Sequence, residues 1–219
     1  MKSLAPSLAI LAALALSPDI QAHEGHDHAI NGATSTSDCI SVKQAATRAV
    51  LRDLWVEHVF WIRNYVEASA AHNEGEKKVA TDQVIVNATA ISGAIASFYG
   101  TPAGDQMLTL LAGHWGAVKD YSDAAFAKNA KGQQDATAHL IANAKQIAAF
   151  LAKANPNLPE ATLVGLLSAH GAHHIAQIQQ LSTGNYAAEA KTWTAMRNHM
   201  FTIADALADG LAKQFPAKF

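Results

Sequence analysis

Cysteine is nearly missing from this chain. Cys39 stands alone among 219 residues, so no internal disulfide can staple the fold. Its reading is an inert thiol near the start of the first helix, with dimer cross-linking and metal ligation as the alternatives. Charge of one sign is also missing. Lys and Arg number 16 against 18 for Asp and Glu, mixed along the chain, with no basic block to suit nucleic acid and no acidic tail. Catalytic signatures are absent as well: there is no glycine-rich phosphate loop, no Ser-His-Asp elbow and no His-Glu-x-x-His. No catalytic residue is therefore assigned and no nucleotide is expected. Without Cys-x-x-Cys-His a c-type haem is not expected either, although bis-histidine haem remains geometrically open. Folding has to rest on an apolar core, alone or with a bound ion.

Long apolar runs are scarce too. Lys2, the apolar stretch Leu4 to Leu16, the Ser17-Pro18 break and the small residue Ala22 read as a cleavable signal peptide over 1–22. The stretch is too short to span a bilayer, which disfavours the alternative of an uncleaved anchor, and no later segment reads as a membrane span. The expected location is periplasmic or secreted, with cleavage after Ala22. Residues 23–37, HEGHDHAINGATSTS, are polar and aperiodic and read as a flexible arm, leaving 38–219 as one domain.

What is present is helix. Alanine is abundant, β-branched runs are short, and apolar residues recur at three- and four-residue spacing. Six helices are predicted, at about 39–71, 77–99, 103–127, 132–154, 159–182 and 186–213. They are separated by His72-Asn73-Glu74-Gly75, Gly100-Thr101-Pro102, the Asn129 to Gly132 segment, Asn155-Pro156-Asn157 and Thr183-Gly184-Asn185. Short connections imply antiparallel neighbours, hence an all-α up-and-down bundle of three tandem αα-hairpins.

An internal repeat supports the hairpins. Leu54-Trp55-x-x-His58, Leu110-Leu111-x-x-His114 and Leu166-Leu167-x-x-His170 share a form and follow one another at equal intervals. Asn87-Ala-x-x-Ile91 and Asn143-Ala-x-x-Ile147 repeat with the same period, and His199-Met-x-x-Ile203 matches them more loosely. Each pair of these positions on consecutive helices is symmetric about an intervening loop. With equal rise per residue, His58, Asn87, His114, Asn143, His170 and His199 should lie at one height, a polar layer crossing an apolar core.

Trp55-x-Glu57-His58 with Trp61 and Arg63, Phe98-Tyr99-Gly100, Asn155-Pro156 and the closing Gln214-Phe215-Pro216-x-Lys218-Phe219 resemble an uncharacterised group of bacterial helical-bundle proteins. The resemblance covers essentially the whole mature chain. It implies a small helical bundle and carries no activity with it. His173, His174 and the His-rich arm depart from the family pattern.

Two chemistries fit the layer. In one, His58 and His114 pair with Asn87 and Asn143 in a buried hydrogen-bond network that only fixes helix register. In the other, the third hairpin builds a metal site: His170 and His174 share a face at i,i+4 and His199 sits opposite, with Met196 and Met200 nearby. His173 points to an adjacent stripe. The arm adds His23, His26 and His28, and a new amino terminus at His23 could chelate with its own amine. Imidazole donors suit copper, zinc or nickel. Arg63 and Glu67 read as an ordinary solvated pair, and the tryptophans as helix-packing residues. The leading reading is an exported, non-enzymatic bundle that sequesters or buffers copper, zinc or nickel. The alternative is a structural or interaction bundle with no metal. Metal ions are the expected partners, nucleic acid is not, the chain does not read as an integral membrane protein, and a homo-oligomer stays open.

Overall fold

The structure is a computed structural model that describes residues 40–219; the signal-peptide and arm assignments, with Cys39, lie outside them. Six α-helices and a closing 3₁₀ turn make up the described residues, with no strand among them: α1 (Val42–Ala70), α2 (Glu74–Tyr99), α3 (Thr101–Phe126), α4 (Ala130–Ala154), α5 (Glu160–Ser182) and α6 (Tyr186–Gln214). All helix ends fall within about three residues of the predicted ones, the scatter expected of fraying termini.

The three hairpin turns are copies of one another. His72, Lys128 and Gly184, equally spaced along the chain, all take the left-handed conformation (φ 53°, 53° and 70°). The next residue is an asparagine each time, and Asn73, Asn129 and Asn185 donate their backbone N–H back to Ala68, Ala124 and Gln180. This is the Schellman closure. The same asparagine side chains then cap the following helix by accepting from Glu76, Gly132 and Ala188 N–H. Only the third turn uses glycine, which avoids the Cβ penalty the other two carry.

Each helix packs against its chain neighbours, and α6 closes on α1. Arg52 grips Asp205 with two hydrogen bonds (2.8 and 2.6 Å) across that closure, beside the Arg48–Asp209 pair. The odd helices α1, α3 and α5 also touch one another across the centre, whereas α2, α4 and α6 fill the outer grooves. Down the inner seam run Leu51, Trp55, His58, Ile62 and Tyr65 of α1. Met107, Leu111, His114, Val118 and Tyr121 take the equivalent places on α3, and Leu163, Leu167, His170, His174 and Gln177 those on α5. The four-three alternation of that seam is the knob spacing of packed helices. Two apolar clusters result. One gathers Leu51, Trp55, Met107, Leu111, Leu163 and Leu167; the other gathers Ile62, Tyr65, Val118, Tyr121, Ile178 and Leu181. The histidine level lies between them.

One end is sealed by Tyr99, Asn155 and the closing segment Gln214 to Phe219. Asn155 donates to the Tyr99 hydroxyl (3.1 Å), which donates to Gln214 (2.7 Å), and Gln214 donates to the Ala154 carbonyl. Phe215 and Phe219 pack on Phe98, and Lys218 donates to the Ser97 carbonyl.

One expectation needs correction. By length and composition α2 is apolar enough to cross a membrane, with mean hydropathy 1.2 over its most apolar 18 residues. The reason is that Val79, Ile85 and Val86 lie exposed on its outer face while Val84, Ile91 and Ile95 fill the core. A single such helix is weak grounds for a span, since Glu74, Glu76, Lys77, Lys78 and Asp82 crowd its start and its inner face belongs to the bundle.

Where α2 meets α3, a Cβ on Gly104 would fall 2.8 Å from the Ala96 Cβ and 2.9 Å from the Ser92 carbonyl oxygen. Neither neighbour can swing away, so Gly104→Ala should cost about 1–3 kcal/mol, read as a lower urea midpoint with helicity retained.

Candidate metal centre

Four histidines meet at the middle of the bundle. His58 on α1, His114 on α3, and His170 and His174 on α5 are 2%, 6%, 2% and 0% exposed. One nitrogen from each ring lies within 4.8 Å of the others. The His170 and His174 Nε2 atoms are 3.1 Å apart, so one donates to the other. The remaining ring pairs sit at centroid separations of 5.3–6.0 Å. A tetrahedral ion with 2.0–2.1 Å bonds places its ligand atoms about 3.3 Å apart, so nitrogens up to 4.8 Å apart close by up to about 1.5 Å to complete such a shell. Beside His114 and His170 is a cavity of about 10 Å³, room for a single water-sized body.

The rest of the sequence layer behaves differently. Asn87 donates to the Leu54 carbonyl (3.0 Å), Asn143 to Leu110 (2.9 Å) and His199 Nε2 to Leu166 (2.8 Å), each across 33 residues. The matched heights are there, but the six positions form two concentric sets. The outer three stitch each hairpin together, and only the inner three face the centre. Asn87 does not pair with His58; its amide also reaches Glu57 (3.1 Å). His199 is therefore not a member of the tetrad, while His58 and His114, expected in a hydrogen-bonded layer with asparagine, join His170 and His174. Met196 and Met200 are buried in the apolar cluster. His23, His26 and His28 lie outside the described residues.

Sequence reasoning also missed what Arg63 does. It does pair with Glu67 (2.9 Å), but its two main bonds go to the buried Glu189 of α6 (2.7 and 2.9 Å), which also accepts from Gln177 (2.9 Å). The Arg63 hydrogen bonds hold the Glu189 carboxyl below its ordinary range, so this corner of α1, α5 and α6 stays ion-paired under the tetrad. The tryptophans pack as expected: Trp55 stands edge-on to His58, Trp115 to Tyr65, and Trp193 lies under Arg63.

Five buried imidazole nitrogens have no hydrogen-bond partner among the described residues: both of His58, Nε2 of His114, and Nδ1 of His170 and His174. Each such orphan costs about 1–3 kcal/mol. Burial is the main force keeping the rings neutral. It pushes His58 down to about 3, with His114 adding to it, and His114 down to about 4, against an opposing pull from Asn143. His170 and His174 are driven well below the usual histidine value by burial and then by the other rings. Neutral imidazole is the form that ligates metal. A buried histidine cluster on a helical bundle that can hold a metal ion is thus in place. No protein-family model matches this chain, and neither a curated protein nor a solved structure matches it.

The depressed values set an acid limit for the metal-free protein. Above pH 6.5, the ordinary histidine value, folded and unfolded chains both carry neutral rings and the tetrad contributes no pH dependence. Below it the unfolded chain takes up protons that the folded one refuses. Stability should therefore fall by about 1.4 kcal/mol per pH unit for each such histidine, down to the folded values near 4 and 3. Denaturant titrations in chelator between about pH 7 and 4.5 should show this slope, shallower by about one proton in His58→Leu.

Proposed function

We propose that the protein is an exported, non-enzymatic bundle that holds one zinc, copper or nickel ion in the four-histidine centre and thereby sequesters or buffers the metal. The observation that carries this reading is the convergence of four buried, neutral imidazoles from three helices, in which His58 and His114 have nitrogens without a partner and His170 and His174 bond only each other through Nε2. An ion takes one nitrogen from each ring and gives bonds to orphaned nitrogens of rings such as His58 and His114. The all-imidazole donor set suits borderline metals better than calcium or magnesium, which prefer oxygen. Four protein ligands close a tetrahedral shell, the pattern of sites that hold an ion rather than present it to substrate. The signal-like segment that ends at Ala22 and the three histidines of the arm support metal capture outside the cytoplasm by composition alone.

The structural alternative describes Asn87 and Asn143 well, since both spend their amides on backbone carbonyls. It leaves the tetrad unexplained.

Elemental analysis of the purified full chain, followed by zinc and copper titration against a chelator of known affinity, tests the proposal. One tightly held ion per chain is expected. His174→Ile installs the kind of residue that the first repeat carries as Ile62; it should weaken the tight site by at least about 100-fold. Free zinc at about 100 times its Kd should add about 2.7 kcal/mol to unfolding, seen as a raised Tm that a chelator reverses. A Tm indifferent to metal and chelator, with no stoichiometric ion, would overturn the reading.

A further inference from the structure

Besides the tetrad, the third hairpin carries a second pair of histidines. His173 on α5 and His199 on α6 are half-buried, with ring centroids 5.5 Å apart, a separation inside the range found within the tetrad. His199 Nε2 is committed to the Leu166 carbonyl, which places its proton there and leaves Nδ1 as a lone-pair donor. In the other two hairpins the corresponding residues are Asn87 and Asn143, which make the same bond to the inner helix. Histidine at 199 keeps that bond and adds a metal-ligating nitrogen. At the position of His173 the first two repeats have Trp61 and Ala117, neither of which is a ligand.

The pair also stands next to the buried centre. His173 precedes His174 directly, and His199 bonds the backbone carbonyl of Leu166, one turn before His170 on α5. A groove of about 290 Å³ also runs along α4 and α5, lined by residues such as Leu140, Ile141, Leu167 and Ile175. A hydrated cation there would meet no imidazole or carboxylate, only the hydroxyls of Thr137 and Ser168. At the α5–α6 seam imidazole can replace its water one ligand at a time.

We propose that His173 and His199 form an outer capture site for the same borderline divalent cation, from which the ion passes to His170 and His174. Resting on the metal reading above, it adds a second, weaker site and a direction of entry. Loading is ligand exchange throughout: the ion gives up water for His173 and His199, then gives up those rings for the tetrad.

The test uses substitutions that the protein's own repeats already tolerate, His173→Ala and His199→Asn, in the full chain. The arm is common to all variants, so differences report on the pair alone. Cobalt(II), whose visible absorption marks tetrahedral nitrogen coordination, is mixed rapidly with metal-free protein, and zinc is titrated at equilibrium. The double variant should keep the tight equivalent, lose one weaker equivalent, and load about tenfold more slowly, as expected when a local ion reservoir is removed. An unchanged loading rate overturns the relay, and an unchanged weaker equivalent overturns the site. The same titration in a His174→Ile background separates the two claims. An undiminished tight equivalent there counts against the tetrad as the metal centre. Loss of a weaker equivalent on adding His173→Ala and His199→Asn supports the outer pair, and its persistence sinks it.

Discussion

Everything in this molecule turns on what three inner helices leave room for at their common seam. The inner faces of α1, α3 and α5 meet along one axis, so a residue placed there meets its counterparts on the other two helices. Leucine, tryptophan, isoleucine and tyrosine at neighbouring levels satisfy that constraint by apolar packing. At the level of His58, His114 and His170 the same geometry brings polar rings together and walls them off from water. The outer helices give them little relief, because Asn87 and Asn143 direct their amide N–H groups to backbone carbonyls and only Asn143 acts on a ring, that of His114. The imidazoles are left with one another.

The third hairpin is where the chain departs from its own plan. Three of its changes bring in histidine: an aromatic or alanine becomes His173, an aliphatic becomes His174, and asparagine becomes His199. A turn further along α5, the tyrosine of the first two repeats gives way to Gln177, which hands its hydrogen bond to Glu189 and so to Arg63. That ion pair sits where α5 and α6 meet α1. The specialised hairpin is thus tied back to the first one at the same corner where its extra polarity would otherwise loosen the packing.

Much of this was legible in the amino-acid order. Helix number, breaks and the threefold repeat follow from apolar spacing and turn residues, and the height of the polar residues follows from distance to the loops. Radial position was not legible. An apolar stripe looks alike whether it faces the bundle axis or an adjacent helix, so His58 and Asn87 were placed side by side when one points inward and the other stitches a hairpin. Identity at repeat-equivalent positions held the missing signal: three histidines on alternate helices at one height must share a radius as well. Arg63 was misjudged for a related reason. Its visible neighbour Glu67 is close in sequence, whereas Glu189 is 126 residues away and joins it only when the ring closes.

The repeat also has an arithmetical consequence. Three copies of a hairpin arranged around an axis can offer equivalent side chains only in threes, so by symmetry alone the centre would be trigonal. Four protein ligands cannot be reached by repeating the unit; that requires one copy to break rank. His174, standing where its counterparts are Ile62 and Val118, is that breach, and a single side chain turns a threefold scaffold into a four-cornered site.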